Sequence, residues 1–218
     1  MPTLGERSLT RYHRTVPGEI REQILTAAEE CIRVHGMARV TTKDVARHAG
    51  CSEGSIYNHF ADKLDLLRAV IDERLPDVLG VVGALSDGAG TGSVRDHVAV
   101  VLEVAEDFYR RLLPLAGSLC SDPELLARCQ GDLAEEGGGP HEALAAIGAY
   151  VRAEQALGRV AEGIDPDAVA LAIMGSAAEA ARIELVTGTR VGGGDWRAGV
   201  LDLLCAALAP HPAVVGPR

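Results

Sequence analysis

The chain has 218 residues, of which 47% are hydrophobic, 24% are charged and 3% are aromatic. This hydrophobic content is sufficient for one or two packed domains and excludes a chain that is disordered throughout. The formal net charge of −10 excludes a non-specific nucleic-acid coat, because most of such a surface repels a polyanion.

Charge is unevenly distributed along the chain. Residues 1–75 contain 11 basic and 11 acidic side chains and are therefore neutral, so the net charge of −10 belongs to residues 76–218. A polyanion would be tolerated at the first part and repelled by the second. We therefore expect a DNA-compatible domain over 1–75 and a second domain over 76–218.

Composition favours an all-α fold, because alanine is abundant and no run of alternating β-branched residues is bounded by turns. The five cysteines are an odd number without a Cys-x-x-Cys pair, so neither a disulfide framework nor a zinc site is indicated. We expect no metal and no cofactor. Because no signal-like segment and no run of about 20 apolar residues is evident, we expect a cytoplasmic chain.

The first predicted helix spans about 19–35. It follows a polar tail, residues 1–18, which carries three arginines, Arg7, Arg11 and Arg14. Such a tail is compatible either with an arm that enters the minor groove of DNA or with a solvated segment, and both alternatives stay open.

Two short helices are predicted next, at about 42–49 and 53–59. Thr41 and Asp44 have the spacing of a capping box at the start of the first of them. Gly50 can adopt the left-handed conformation that ends it. Two short helices joined by a tight turn are typical of a helix-turn-helix, whose second helix lies in the DNA major groove.

The second short helix has its own cap and its own apolar anchors. Ser52 can cap its first turn, and Ile56 and Phe60 lie four residues apart, so both should point into the core. Asp62 is expected to cap the following helix. Asp65 lies at the position whose side chain can accept a hydrogen bond from the N–H of the cap residue.

This segment resembles the DNA-binding motif of the tetracycline-repressor (TetR) family. The resemblance covers about the first third of the chain, and two positions depart from the pattern: Cys51 stands where valine is usual, and Leu64 where an acidic residue is usual. The matching positions are Ala49-Gly50-Cys51-Ser52, Gly54, Tyr57-Asn58-His59-Phe60, Lys63, Leu66 and Leu67.

The resemblance implies a set of DNA contacts. Phosphate contacts are implied for four hydrogen-bond donors, Thr42, Tyr57, His59 and Lys63. Lys43 matches a position that reaches phosphate or base. Base reading is implied for Glu53, Gly54 and Ser55, and Ser52 and Asn58 complete the candidate set.

Glu53 is the unusual member of this set. A carboxylate near phosphates is repelled unless it accepts a hydrogen bond from a base, for which cytosine N4 is the best partner. Alternatively, Glu53 is a helix-start carboxylate that the helix dipole favours. The sequence does not decide between these interpretations.

The second domain is expected to be helical as well, so that the whole chain contains about nine helices. Gly80–Gly92 is rich in glycine and serine and is expected to interrupt the helical pattern, and Glu135–Pro140 and Val191–Gly194 are expected to be loops. The helices are expected at about 63–79, 93–113, 123–133, 141–157, 166–187 and 195–209.

Two of these helices suggest a dimer interface. The segment Val169–Ala178 carries no charge over nearly three turns, and a helix that is apolar all round must be covered on more than one side. A second copy of the chain would cover it together with the last helix, in which the apolar residues are Val200, Leu201, Leu203, Leu204, Ala207 and Leu208. The alternative is a buried helix of a monomer. The resemblance implies the dimer.

The resemblance also implies an effector site for a small molecule in the second domain. Scarce aromatic residues and many aliphatic ones favour an apolar ligand over a planar polycation. Each candidate lining residue has an ordinary core position as its alternative. The candidates are Val101, Phe108, Leu112, Tyr150, Met174 and Ala178.

Other chemistry is poorly supported by the sequence. The run Gly88–Ser93 lacks the Lys-Ser/Thr of a phosphate-binding loop, so a linker is expected. Cys120 and Cys129 are compatible with a redox pair or with two structural thiols. The function predicted from the whole sequence is an effector-released repressor that binds a palindromic operator as a dimer and is not an enzyme. The alternative is an all-helical ligand-binding protein or enzyme with an incidental helix-turn-helix.

Overall fold

A computed structural model of the chain describes residues 17–36, 39–116, 123–136, 139–194 and 196–210. These residues form ten α-helices and one short 3-10 turn, Val191–Gly194, and they contain no β-strand, which confirms the all-α prediction. In chain order the helices are α1 (Pro17–His35), α2 (Thr42–Ala49), α3 (Glu53–Tyr57), α4 (Lys63–Arg74), α5 (Val78–Asp87), α6 (Val94–Ala116), α7 (Pro123–Glu136), α8 (Pro140–Ala156), α9 (Pro166–Thr187) and α10 (Trp196–Leu208).

The described residues pack into two hydrophobic clusters. The first is formed by α1 to α4, with Ile24, Ile56 and Leu67 among its fully buried side chains. The second is formed by α5, α6, α8, α9 and α10. Helix α6 contributes to both, because its first half packs in the second cluster and Leu115, near its end, is 3% exposed in the first. A rigid helix therefore connects the helix-turn-helix to the second domain.

The predicted helix over 63–79 is wrong at its end, because α4 stops at Arg74. Leu75 is extended, with ψ 151°, since the ring of Pro76 disfavours the helical conformation of the residue before it. The chain resumes a helix after Asp77, whose carboxylate accepts a hydrogen bond from the Gly80 N–H at 2.7 Å.

The predicted break over Gly80–Gly92 is also wrong in its first part, because Gly80 and Gly83 lie inside α5. Val78 and Val82 are buried in the second cluster, and Leu85 packs against it. This spacing of four and three residues is the helical signal that the glycines obscured. The remainder of the predicted break, after Asp87, is the connection to α6.

Helix α6 continues through Pro114, where the sequence predicted its end. Proline removes one intrahelical hydrogen bond, but the last turn carries Leu115 into the first hydrophobic cluster. Burial of this leucine is worth about 1.5–3 kcal/mol and offsets the lost bond. The other predicted helices occur, and α3 ends two residues earlier than expected, at Tyr57.

The connection between α5 and α6 is held by a buried ion pair. Glu154 on α8 is 0% exposed, and its carboxylate accepts a hydrogen bond from the Gly90 N–H at 3.2 Å. Arg159 lies 3.2 Å from the same carboxylate and donates to the carbonyls of Thr91 and Gly92. Because a carboxylate of the protein itself occupies the Gly90 amide, this loop is a linker, as expected, and its amide is not presented to a phosphate.

Some predictions lie outside the described residues, namely those on the arginines of the tail and on Cys120. Four cysteines that the structure describes, Cys31, Cys51, Cys129 and Cys205, are free thiols. Among the described residues no group of three or more histidine, cysteine or carboxylate side chains could hold a metal ion. In the same part of the chain, every helix is too short or too polar to cross a membrane.

Candidate DNA-binding surface

Helix α2 begins at the predicted capping box. The Thr41 hydroxyl oxygen accepts a hydrogen bond from the Asp44 N–H at 3.1 Å, and the Asp44 carboxylate accepts from the Thr41 N–H at 3.1 Å. Hydrogen bonds from Thr41, first from its hydroxyl, hold the pKa of Asp44 below its usual range. The orientation of α2, which carries Thr42 and Lys43, is thus set locally.

The turn between α2 and α3 depends on a glycine. Gly50 has φ 67° and ψ 25°, in the left-handed region that favours glycine. Its N–H and that of Cys51 donate to carbonyls of the last turn of α2. Cys51 is half-buried against the first cluster, and burial raises the pKa of its thiol, so it acts as the small hydrophobe expected in place of valine.

Helix α3 has a buried side and a solvent-facing side. Ile56 is 0% exposed and Phe60, just after the helix, is 3% exposed, which confirms both as core residues. Ser52 caps the helix by accepting a hydrogen bond from the Ser55 N–H at 3.1 Å. The Ser52 and Ser55 hydroxyls are 2.8 Å apart, so these two candidate contacts are also bonded to one another.

Two of the candidate DNA contacts, Thr42 of α2 and Tyr57 of α3, lie next to one another. Tyr57 is 53% exposed although it is aromatic, because Ile56 and Phe60 already fill the core. The Thr42 hydroxyl lies 3.3 Å from the Tyr57 hydroxyl, which brings two predicted phosphate donors together across the two helices. Of the remaining candidates, Lys43, Ser52, Glu53, Gly54 and Asn58 are exposed, and Ser55, His59 and Lys63 are partly buried.

Glu53 has a partner that neither interpretation of the sequence included. Its carboxylate accepts a hydrogen bond from the Thr42 hydroxyl at 2.6 Å, which ties the start of α3 to the start of α2. The residue remains exposed at the first position of α3. A structural role in positioning Thr42 is therefore available to Glu53 besides base reading and the helix dipole.

Gly54 faces open space. A Cβ built at this position would meet nothing nearer than the Ser52 hydroxyl, at 3.8 Å, and the backbone is helical. The fold itself therefore does not require glycine here. The missing side chain instead lets the backbone of α3 come close to an external surface, as reading of a groove requires.

Helix α4 packs in the same hydrophobic cluster as Ile56 of α3. Asp62 caps it by accepting hydrogen bonds from the N–H groups of Leu64 and Asp65, and the Asp65 carboxylate accepts from Ala61 N–H at 2.8 Å. The Asp65 carboxylate was predicted to accept a hydrogen bond from the N–H of the cap residue, Asp62. Its donor is instead the N–H of the preceding residue, Ala61. Leu64 is 1% exposed, so its departure from the family pattern places one more apolar side chain in the core.

Contacts from α7 to this region were missed by the sequence analysis. Arg128 forms an ion pair with Asp62 at 2.5 Å, and Arg68 lies 3.5 Å from Asp132. The Arg128 guanidinium holds the pKa of Asp62 below its usual range. Because these partners are 66 and 64 residues apart in the sequence, no local pattern could have paired them.

Four of the six candidate effector residues lie in or against the second cluster. Val101, Tyr150 and Met174 are buried in it, and Phe108 packs against it. The Tyr150 hydroxyl is 2.8 Å from His97 Nδ1, and burial raises the pKa of this tyrosine. Leu112 and Ala178 are half-buried. A surface cleft of about 420 Å³ elsewhere in this domain is lined by other side chains.

Comparison with known proteins locates the similarity in the helix-turn-helix. Residues 24–70 match the family model described as bacterial regulatory proteins, tetR family. The chain is 44% identical over 54 residues to the HTH-type transcriptional regulator TtgR of Pseudomonas putida, a match that covers 25% of this chain and 26% of the relative. It is 43% identical over 61 residues to the HTH-type transcriptional repressor BepR of Brucella suis, covering 28% of this chain and 29% of that one. The chain thus matches little more than a quarter of the length of these curated relatives.

The similarity in fold extends further than the similarity in sequence. The structure of SmeT, the repressor of the Stenotrophomonas maltophilia multidrug efflux pump SmeDEF, superposes with a TM-score of 0.65 at 22% identity. The superposition covers 91% of this chain and 96% of SmeT. The arrangement of the second domain is therefore shared with a solved repressor, although its sequence has diverged.

Proposed function

We propose that this chain, whose residues 24–70 match the model of the tetR family of bacterial regulatory proteins, is a sequence-specific DNA-binding transcriptional regulator of that family. Its simplest mode of action is that of a repressor, which binds a palindromic operator as a homodimer and is released by a small-molecule effector. The family consists of regulators, and the proposed activity is DNA binding without catalysis.

The observation that carries this proposal is the solvent-facing side of α3. Gly54 is open to solvent with no structural need for glycine, and the hydroxyls of Thr42 and Tyr57 lie 3.3 Å apart beside it. Hydroxyl donors that flank a bare stretch of helix backbone suit a helix in the major groove, with phosphates bound on either side. Lys43, which follows Thr42 in α2, adds an exposed cation.

The proposed dimer rests on the outer face of α9 and α10. The chain by itself buries the inner face of α9, where Ala170 is 0% and Ile173 is 1% exposed. On the outer face Leu171 is 62% exposed, and Leu203 of α10 is 70% exposed. A second copy that covers this face would give two α3 helices, which we propose to be about 34–36 Å apart on one side of a duplex.

The effector proposal is the least specific part of this function. A structure of SmeT is described as a complex with triclosan, an observation that belongs to SmeT. We propose that the second domain of this chain also responds to a ligand, with Val101, Phe108, Leu112, Tyr150, Met174 and Ala178 as candidate lining residues. The ligand must favour one of two domain arrangements, and a coupling of about 1–3 kcal/mol would change operator affinity roughly 5- to 150-fold.

The proposal is tested by selection of binding sites from random duplex DNA with the purified full-length chain. We expect a palindrome whose half-sites are centred about one helical turn apart. Failure to enrich any sequence, with binding that is weak and equal for all duplexes, would favour the alternative of a helical ligand-binding protein with an incidental helix-turn-helix.

The variant Lys43→Ala tests one predicted phosphate contact through the salt dependence of binding to the selected operator. Loss of one phosphate contact should weaken binding and reduce the slope of log affinity against log salt by about 0.9, because one fewer counterion is released. Arg152→Ala, which removes an exposed cation from α8, is the matched control and should leave the slope unchanged. An unchanged slope in Lys43→Ala would remove this residue from the phosphate-contacting set.

A further inference from the structure

A charged cleft lies where the link between α4 and α5 meets α6 and the start of α10. Its volume is about 420 Å³, within the range of small-molecule sites. None of its lining residues belongs to the candidate effector set or to the DNA-binding surface. They are Pro76, Glu103, Val104, Glu106, Asp107, Arg110, Arg190 and Arg197.

Carboxylates of the second domain orient the arginines of this cleft. Glu106 is 6% exposed and is shared by Arg110, which pairs with one carboxylate oxygen, and Arg197, whose Nε lies 3.2 Å from the other. Glu184 on α9 is shared in the same way, with Arg110 Nε at 3.2 Å and Arg190 Nε at 3.4 Å. Glu106 and Glu184 thus orient three guanidinium groups between them. With Glu103 and Asp107 the lining has as many carboxylates as arginines, so the cleft has no net charge and its positive charge is local to the arginine head groups.

The three arginines differ in how many of their N–H groups are paired with carboxylates. Arg110 contacts three carboxylates, namely those of Glu106, Asp107 and Glu184. Arg190 and Arg197 make their ion pairs through Nε, and their side chains remain 57% and 40% exposed. Their terminal nitrogens are therefore available to a further acceptor in the cleft. Planar guanidinium groups that are oriented by carboxylates of the protein, as Arg197 is by the buried Glu106 and Arg190 by the partly buried Glu184, are suited to carboxylate and phosphate groups.

We propose that this cleft binds a small anionic molecule, through a carboxylate or phosphate group held by Arg190 and Arg197. Glu103, which is exposed on α6, also lines the cleft and disfavours a second anionic group near it. The ligand class is therefore a small molecule with one oxyanion head group. This site is separate from the apolar effector candidates inside the second cluster.

The cleft lies beside the segments that connect the second domain to the helix-turn-helix. Pro76 lies two residues after the end of α4, whose buried leucines pack in the first cluster together with Ile56 of α3. Glu106 lies on the same helix as Leu115, which packs in the first cluster about 13 Å further along the axis of α6. An anion bound here contacts both connections between the domains, so it can bias the position of the helix-turn-helix. This regulatory step rests on the proposed function, whereas anion binding does not.

Binding is measured on the full-length protein without DNA. Trp196 is the single tryptophan of the chain, is partly buried and immediately precedes Arg197, so its fluorescence reports on the cleft. Inorganic phosphate and acetate are titrated separately at constant ionic strength, with glycerol as the neutral control. We expect saturable changes with at least one anion, and the tighter of the two identifies the head group as phosphate or carboxylate.

Three variants separate a site from a general charge effect. Arg190→Gln, an exposed residue whose loss should not disturb folding, should weaken anion binding about tenfold, and Glu103→Gln should tighten it about threefold. Arg152→Gln on α8 removes one positive charge elsewhere and should leave the affinity within twofold. Absence of saturable binding in the wild-type protein, or equal weakening by Arg190→Gln and Arg152→Gln, would overturn the site.

The regulatory step is tested afterwards with the selected operator. Phosphate or acetate at saturation should change operator affinity at least fivefold in the wild-type protein and not in Arg190→Gln. If the anion binds and the operator affinity does not change, the regulatory part is wrong and the site stands. If no operator can be selected at all, the proposed function fails independently of the anion titration.

Discussion

At the residue scale, the Thr42–Glu53 hydrogen bond changes what Glu53 is expected to do. The 2.6 Å contact occupies one carboxylate oxygen with a donor from α2. The same carboxylate lies beside hydroxyls that are predicted to approach phosphates, where its charge is repelled. Positioning of Thr42 is a role for an acidic residue at this place that needs no contact to a base.

We expect Glu53→Ala to leave the preferred DNA sequence unchanged. Because a negative charge near phosphates is removed, operator affinity should rise about two- to fivefold at low salt. Site selection and affinity titration with the variant measure both quantities. A changed base at one position of each half-site would instead establish direct reading by Glu53.

A double-mutant cycle tests the positioning role itself. Glu53→Ala, Thr42→Ala and the double variant should show a coupling free energy of about 0.5–1.5 kcal/mol in chemical denaturation, the range for one hydrogen bond. Additive changes in the free energy of unfolding would show that the contact contributes nothing measurable.

The buried carboxylate of Glu154 gives a second prediction at this scale. Arg159→Met should lower the free energy of unfolding by about 3 kcal/mol or more, because Glu154 is 0% exposed and loses its charged partner. Arg152→Met breaks an exposed pair with Asp167 and should cost roughly 0–1 kcal/mol. Equal losses in urea denaturation would contradict the importance of burial.

At the scale of elements, the start of α4 is where the two domains touch through charge. Asp62 caps this helix and also pairs with Arg128 of α7. Both side chains of the pair are about half exposed, so the ion pair itself should be worth less than the cap. The cap matters more because α4 carries Leu64, Leu66 and Leu67 into the first cluster.

We expect Asp62→Ala to lower the free energy of unfolding by about 1 kcal/mol at pH 7, and Asp62→Asn by less, because asparagine also caps helices. The pKa of Asp62 is lowered in the folded state, first by Arg128. The stability it contributes is therefore present above the unfolded pKa of about 3.9 and is lost as the pH falls through the lower folded value. Urea denaturation at several pH values measures both effects.

The outcome for Asp62→Asn separates the cap from the charge. This variant should lose less stability than the wild-type protein when the pH is lowered from 5 toward 3, since its side chain does not titrate. An identical acid dependence in wild type and variant would contradict the assigned shift.

Elements were predictable from the sequence where short-range contacts define them. The capping box at Thr41, the left-handed Gly50 and the cap at Ser52 depend on residues within four positions and occur as predicted. The sequence predicted α4 to end later than it does and α6 to end earlier than it does. Pro76 ends a helix because nothing holds the chain helical there, whereas Pro114 is tolerated because Leu115 is buried beyond it.

At the scale of the whole molecule, the single chain leaves large apolar side chains of α9 and α10 exposed. Leu171 and Leu203 are 62% and 70% exposed, while Leu204 and Leu208, which the sequence placed in a dimer interface, are buried in the chain's own core at 8% and 3%. Of the residues expected at the interface, we therefore keep only those that face outward from these helices, such as Leu203, and not Leu204 or Leu208.

We expect Leu171→Glu combined with Leu203→Glu to convert a dimer into a monomer. Two carboxylates in a desolvated apolar interface are strongly unfavourable, whereas both positions are already in water in the single chain. Light scattering after size exclusion measures the mass, and circular dichroism confirms that the helices persist. The monomer should bind a single half-site far more weakly than the dimer binds the palindrome.

Leu157→Glu is the matched control for this experiment. Leu157 follows α8 and is 55% exposed, so it places the same new charge on a different surface. A wild-type protein that is monomeric at micromolar concentration, or a control that dissociates as readily as the double variant, would contradict the assignment of the interface to α9 and α10.

The sequence by itself determined the helical class and the helix-turn-helix. It also determined that Ile56 and Phe60 are buried in the core while Tyr57 is exposed. These features depend on spacing within a few residues, which a single sequence displays directly. Only the tertiary structure decided that α5 forms inside a glycine-rich segment, that Arg128 reaches Asp62 and that Glu106 and Glu184 organise three arginines around a cleft. Those features join residues dozens of positions apart, and their free energies come from packing and burial that exist only in the folded chain.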